Sequence, residues 1–158
     1  MREILFRGKR VDNGEWVEGS LLDYKPHYKW TAIYCLCDND DGMLEMYRHD
    51  VNPSTVGQYT GLKDKNGKRI FEGDVIKIEH SDYAFDGMSL GYRTEQGMVA
   101  YDSMGMIGIV VEKYKGENVW SDFFHVLGLT DRIEDWYFEV IGNIHDNPEL
   151  LEVKHDER

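Results

Sequence analysis

The sequence predicts a mainly β protein assembled from antiparallel hairpins. Turn dipeptides recur between β-prone runs, at Asn13-Gly14, Asp41-Gly42 and Asn66-Gly67, and these tolerate the positive φ angles that hairpin turns demand. The dominant apolar period is two. No alternation of strands with amphipathic helices appears, which argues against a parallel sheet.

The elements follow in order. Residues 4–7 and 15–18 flank Asp12-Asn13-Gly14, giving an N-terminal hairpin. Residues 30–37 and 43–47 flank Asp38-Asn39-Asp40-Asp41-Gly42, giving another with a polar loop. After Pro53, residues 59–62 and 68–71 flank Asp64-Lys65-Asn66-Gly67, where Asn66-Gly67 predicts the two-residue tip of a type I′ turn. Glu72-Gly73-Asp74 then interrupts before Val75-Ile76-Lys77-Ile78-Glu79, a sharp bend of the kind that turns the corner of a small barrel. Residues 80–96 lose the pattern and read as a long loop or insertion, with Tyr83, Phe85, Met88 and Tyr92 scattered among polar residues and glycines. Strand character returns at 97–101, 106–114, 123–127 and 136–144. The tail alone reads as helical: Asn147 suits an N-cap, Pro148 the first helical position, and Glu149 the dipole of a short turn ending in Leu150-Leu151.

Composition bounds the function classes. With 158 residues, 41% of them apolar and 13% aromatic, the chain has enough apolar surface for a core. Thirty acidic against eighteen basic residues give a formal charge of -12, which repels phosphate and makes non-specific nucleic-acid binding unfavourable. No apolar run is long enough to span a membrane, and charges at Arg2, Glu3 and Arg7 come too early for a secretory signal. The expected location is the cytoplasm. Cys35 and Cys37, two apart in a predicted strand, point to one face but sit too far along it for a normal disulfide, so free thiols with a packing role are expected.

Catalytic and metal motifs are missing. The acidic loop at 38–42 fails as an EF-hand, because placing Gly42 at the sixth position puts Cys37 at the first and Arg48 at the twelfth. The six histidines show neither HxH nor HExxH spacing. His49-Asp50 and Ser121-Asp122 with His125 offer residue types used in nucleophilic catalysis, yet such triads are defined by geometry, and surface roles account for them. Gly105-Met106-Ile107-Gly108 lacks the remaining glycine and the helix of a dinucleotide fold, and Gly67 is not followed by the Lys-Ser/Thr of a P-loop. Neither an enzyme nor a cofactor is expected.

One local asymmetry stands out. Between residues 56 and 77, Lys63, Lys65, Lys68, Arg69 and Lys77 oppose Asp64, Glu72 and Asp74, a local charge of +2 in a strongly acidic chain. Lys65, Lys68 and Arg69 on this hairpin are therefore candidate contact residues for an acidic partner or a second copy; a solvated hairpin whose lysines discourage edge pairing is the plainer account. Tyr83, Phe85, Met88 and Tyr92 are the other candidates, since apolar side chains in an unpatterned loop need a surface to pack on.

The run Val56-Gly57-Gln58-Tyr59-Thr60-Gly61-Leu62-Lys63-Asp64-Lys65-Asn66-Gly67-Lys68-Arg69-Ile70-Phe71-Glu72-Gly73-Asp74-Val75-Ile76 and the closing Glu139-Val140-Ile141-Gly142-Asn143-Ile144-His145-Asp146-Asn147-Pro148-Glu149-Leu150-Leu151 resemble the YopX family of phage and prophage proteins. The opening Arg2-Glu3-Ile4-Leu5-Phe6-Arg7 is similar to the family's start. The resemblance implies a β-rich fold whose later portion is an SH3-like small barrel, with no catalytic residues to carry over. The expected organisation is an N-terminal hairpin region over 1–55 and an SH3-like barrel over 56–158 that carries the 80–96 insertion and closes with the helical turn.

Two function classes follow from these readings. The first is a non-enzymatic accessory protein that self-associates and binds a host or phage protein. The second is nucleic-acid work, by direct binding through the small barrel or by mimicry of DNA with acidic side chains; it rests on analogy of fold.

Overall fold

The computed structural model describes residues 3–24, 30–39, 41–83, 89–101, 107–114, 117–120 and 136–151. Among these the chain is antiparallel β throughout, and two short 3-10 turns are the only helical segments. The backbone divides into two compact units, Met1–Gly61 and Leu62–Arg158.

The first unit contains β1 (Phe6–Lys9), β2 (Trp16–Tyr24), β3 (Trp30–Asp38) and β4 (Leu44–Asp50), then a 3-10 turn over Pro53–Thr55, then β5 (Gly57–Lys63), which runs on past Gly61. Its strands lie in the order β4-β3-β2-β1-β5. The expected hairpins at 12–14 and 38–42 form, and Gly14 and Gly42 both take φ of 73°. Ala32, Ile33, Val51 and Tyr59 are buried in this unit. After β4 the chain returns to β1: Val51 donates its N–H to the Thr31 carbonyl at 3.0 Å, and Asn52 donates to the Lys9 carbonyl at 2.8 Å. Asn52 also caps the 3-10 turn, its side-chain oxygen accepting the Ser54 N–H at 3.1 Å. Trp16 is covered by cations, with the Arg7 guanidinium 4.7 Å and the Lys9 ammonium 5.6 Å from its ring centre.

The second unit contains β6 (Arg69–Phe71), β7 (Asp74–Tyr83), β8 (Ser89–Tyr101), β9 (Ile107–Tyr114), β10 (Glu117–Trp120) and β11 (Trp136–Asn143). Strands β7 to β11 form a sheet of order β10-β9-β8-β7-β11. Ile70, Ile76, Ile78, Val99 and Phe138 make its core, joined by the partly buried Leu62 and Val140. Each such side chain contributes about 1.5–3 kcal/mol when taken out of water. No closed barrel forms among the described residues, so the structure supports a mainly antiparallel β fold and not the finer expectation of an SH3-like barrel.

Three expectations are corrected by the backbone. The unpatterned stretch at 80–96 is not a loop where it is described: residues 80–83 complete β7 and 89–96 open β8, with Ser81 opposite Tyr92 and Tyr83 opposite Ser89. The ladder starts at the buried base, where Val75 faces Met98 and Ile76 faces Gly97, and backbone pairing propagates outward without needing an apolar face. Only the tip, 84–88, with Phe85 and Met88, lies outside the described residues, as does the expected strand at 123–127.

The Asn66-Gly67 tip is the second correction. Gly67 donates to the Asp64 carbonyl at 2.9 Å and Asp64 donates to the Lys68 carbonyl at 2.8 Å, so three residues turn the chain, a type I turn closed by a left-handed glycine rather than a type I′ pair. The wider loop forms because one Asp64 carboxylate oxygen accepts the N–H groups of Asn66 (2.8 Å) and Lys68 (2.9 Å). Gly67 has φ of 81° and nothing within 4 Å of where a Cβ would stand. Gly67→Ala is therefore expected to cost about 1–2 kcal/mol through backbone strain alone, measured as a shift of the denaturant midpoint with an unchanged slope.

The third correction concerns the tail. Pro148–Leu151 does form a short 3-10 turn, but the Asn147 side chain does not cap it in the expected way. Its oxygen accepts the Asn143 N–H at 3.4 Å instead, while Asn143 accepts the N–H groups of His145 and Asp146, each at 2.9 Å.

Candidate interaction surface

The β3–β4 hairpin presents apolar side chains to solvent. In its register Leu36 faces Met46 and Asp38 faces Leu44, and directly paired residues of antiparallel strands share a sheet face. Leu36, Leu44 and Met46 are therefore neighbours, and they are 61%, 65% and 67% exposed. Met43 beside the turn is also exposed, and Leu22 joins the same face through its pairing with Ala32. Every residue of β4 except His49 is exposed.

This strand is also the edge of its sheet. Because Val51 donates toward β3, alternation turns the N–H and C=O groups of Leu44, Met46 and Arg48 outward. An apolar edge strand with outward-facing amides is a template for pairing with another strand.

The hairpin turn is rigidly built. Asn39 donates to the Met43 carbonyl at 2.8 Å, Gly42 donates to the Asn39 carbonyl at 2.9 Å, and the Asn39 side-chain oxygen accepts the N–H groups of Asp41 (3.0 Å) and Met43 (2.8 Å). Asn39 does here what Asp64 does at the other three-residue turn. On the face opposite Leu36 and Met46, Cys35 faces Tyr47 and Cys37 faces Glu45. Both thiols are free, and Cys37 is exposed, so it does not have the packing role expected of it.

An open cleft of ≈ 430 Å³ lies at the far end of β4, lined by Arg10, Val11, Asp12, Arg48, His49 and Asp50. Its cations are neutralised at home. Arg10 binds Asp12 at 2.5 Å with Glu15 at 3.8 Å, and Arg48 binds Asp50 at 2.6 Å while stacking 4.5 Å over Trp30. The hydrogen bond from Arg10, ahead of charge attraction, holds the Asp12 carboxyl below its ordinary range. With two cations matched by two aspartates, the cleft carries no surplus charge for an ionic ligand. No group of three or more His, Cys, Asp or Glu able to hold a metal ion occurs among the described residues.

Of the sequence-predicted contact residues, Lys65, Lys68 and Arg69 lie on one hairpin, Tyr83 and Tyr92 on β7 and β8, and Phe85 and Met88 outside the described residues. Lys65 pairs with Glu139 at 2.7 Å and its N–H donates to the Phe138 carbonyl at 2.9 Å, so it fastens the hairpin to β11. Lys68 is exposed and Arg69 half-buried. Tyr83 and Tyr92 stand on the paired backbone of β7 and β8. The exposed Leu36, Leu44 and Met46 were not among those candidates. Their signal was present in Cys35-Leu36-Cys37 and Leu44-Glu45-Met46-Tyr47, where apolar residues occupy both faces of a pair that closes on an acidic turn.

Among the described residues no helix is long and apolar enough to cross a membrane. No curated protein matches the chain. A solved structure, protein EF1440 from Enterococcus faecalis, is similar at 26% identity over 96% of this chain and 100% of that one, with a TM-score of 0.46. The family model described as YopX protein matches residues 5–152, nearly the whole length, including the opening strand, the 59–76 hairpin and the closing Asn143-Ile144-His145-Asp146-Asn147-Pro148. The chain belongs to the YopX protein family.

Proposed function

We propose that this chain is a non-enzymatic accessory protein of a phage or prophage that acts through protein contacts, and that its first contact is with a second copy of itself across β4. The observation that carries the reading is the exposed apolar face of the β3–β4 hairpin on the edge strand of its sheet. A second copy fits this edge by charge. Antiparallel pairing about a two-fold axis at Tyr47 sets Glu45 opposite His49 and Met46 opposite Arg48, with no like-charged pair in the ladder.

The same reading includes an SH3-like second unit. Four consecutive strands, β7 to β10, form a meander, and β11 returns to β7; this order supports a small barrel, which closes when the outer strands meet.

Light scattering at micromolar to millimolar chain concentration tests self-association. The wild type is expected to dimerise, and Met46→Lys to remain monomeric with an unchanged far-ultraviolet spectrum. Because each copy carries -12, association is expected to strengthen between 0.01 and 0.1 M salt, as the screening length falls from about 30 to about 10 Å. A wild type that stays monomeric throughout, or a Met46→Lys variant that dimerises equally well, defeats the reading.

A further inference from the structure

Cys35 and Cys37 stand on one face of β3, and their sulfurs lie 3.5 Å apart. Same-face neighbours along a strand are separated by about 6.6 Å of backbone, two rises of about 3.3 Å. That is near the upper limit of the Cα separations a disulfide accepts, and beyond its usual 5.5–6 Å or so. The side chains lean together without the backbone closing, whereas a sulfur–sulfur bond of about 2.0 Å requires it to close. A separation of 3.5 Å lies near a chelate bite instead: two sulfurs each about 2.3 Å from one ion stand about 3.8 Å apart at a tetrahedral angle and about 4.6 Å apart with the ion in line between them, and rotation of the two side chains away from each other reaches the wider spacing without moving the backbone.

The surroundings select the ion. Glu45 faces Cys37 across the ladder, but its carboxylate already accepts hydrogen bonds from Asn39 at 2.9 Å and from Tyr47 at 3.1 Å. No third His, Cys, Asp or Glu joins the thiols as a ligand among the described residues, so the four-coordinate set of a structural zinc site is not assembled there. Two thiolates without oxygen or nitrogen ligands favour a soft ion content with few partners. Cys37 is exposed and gives solvent access.

We propose that Cys35 and Cys37 form a two-sulfur chelate for a soft, thiophilic metal ion of the Cu(I) class. Burial, then the hydrogen bond from Cys37, holds the Cys35 thiol above its usual range. Binding breaks two S–H bonds, forms two sulfur–metal bonds and releases two protons to solvent, with no change of oxidation state. The site lies on the sheet face opposite Leu36 and Met46 and does not depend on self-association.

The test is an anaerobic titration of the reduced full-length chain with Cu(I) against the chromogenic chelator bicinchoninate. The wild type is expected to withdraw one equivalent and to develop a thiolate-to-copper absorption band. Cys35→Ser and Cys37→Ser are each expected to lose about 10²-fold or more in affinity as the effective concentration of the second sulfur disappears, and Met46→Lys, on the opposite face, to bind as the wild type does. Phenylarsine oxide, which condenses with two thiols and releases water, is expected to add once to the wild type and to neither serine variant. A wild type that fails to withdraw Cu(I), or a serine variant that binds it equally tightly, overturns the proposal whatever the arsenical does.

Discussion

Asp64→Ala is expected to lower the melting temperature of the C-terminal unit by about 10 °C or more. The Asp64 side chain is 7% exposed, and its carboxylate accepts three backbone N–H groups, from Asn66, Lys68 and, 76 residues away, Val140 at 3.2 Å. Hydrogen bonds to a charged acceptor are worth about 1.5–3 kcal/mol each, and removing the acceptor strands the donors it served, so a loss of about 3 kcal/mol or more follows. At about 4–8 °C per kcal/mol for a domain of 60–100 residues, this moves the thermal transition well outside error. Asp64→Asn separates charge from shape. One oxygen can still serve Asn66 and Lys68, but an amide nitrogen then confronts the Val140 N–H, and an intermediate shift is expected.

The same site has a pH signature. Burial pushes the Asp64 carboxyl up, but the amides of Lys68, Val140 and Asn66 outweigh it and hold the group below its ordinary range. A carboxyl whose folded pKa is depressed stabilises the fold above its unfolded value, near 3.9, and loses that contribution as pH falls through the folded value. The stability gap between wild type and Asp64→Asn is therefore expected to be constant from neutral pH to about 5 and to narrow below about 4. A gap that persists undiminished into acid removes the carboxylate from this role.

Gly19→Ala is expected to be as damaging in the first unit. A Cβ built on Gly19 overlaps the Tyr34 carbonyl oxygen and lies 2.8 Å from its carbon and 2.9 Å from the Ile33 methyl. The obstacle is backbone, so no rotamer change relieves it; β2 must part from β3 beside the Ser20–Tyr34 pair. Overpacking typically costs about 1–3 kcal/mol and sometimes more, and a backbone obstacle places this variant at the upper end. Hydrogen exchange should show lost protection across residues 19–24 and 30–34 with the amides of β7 and β8 unchanged. Uniform protection in the variant rejects the close approach.

Hairpins were legible in this sequence because their signals are local. Asn13-Gly14, Asp41-Gly42 and Glu72-Gly73-Asp74 mark turns by residue type, and all three turn the chain where the pattern put them. Residues 80–96 were misread because strand pairing there is inherited from Val75 and Ile76 at the base, and a ladder that extends from a buried start leaves no period of its own. The contact surface was hidden for a related reason. Exposure of Leu36, Leu44 and Met46 depends on which strand ends up at the sheet edge, and strand order is a long-range property. The lysines of the 64–68 turn drew attention by charge, yet Lys65 is used by Glu139, a partner no local window contains.

The bond from Val140 to Asp64 also orders events in time. Strands β7 to β10 pair with sequence neighbours, whereas β11 must find β7 and the 64–68 turn across 56 to 76 residues. Closing so long a loop is entropically unfavourable until several contacts form together, so local hairpins precede it. During synthesis the 64–68 turn therefore emerges and folds well before its distant partner exists. The carboxylate that made the turn then waits, half used, as the receptor for the last strand to arrive.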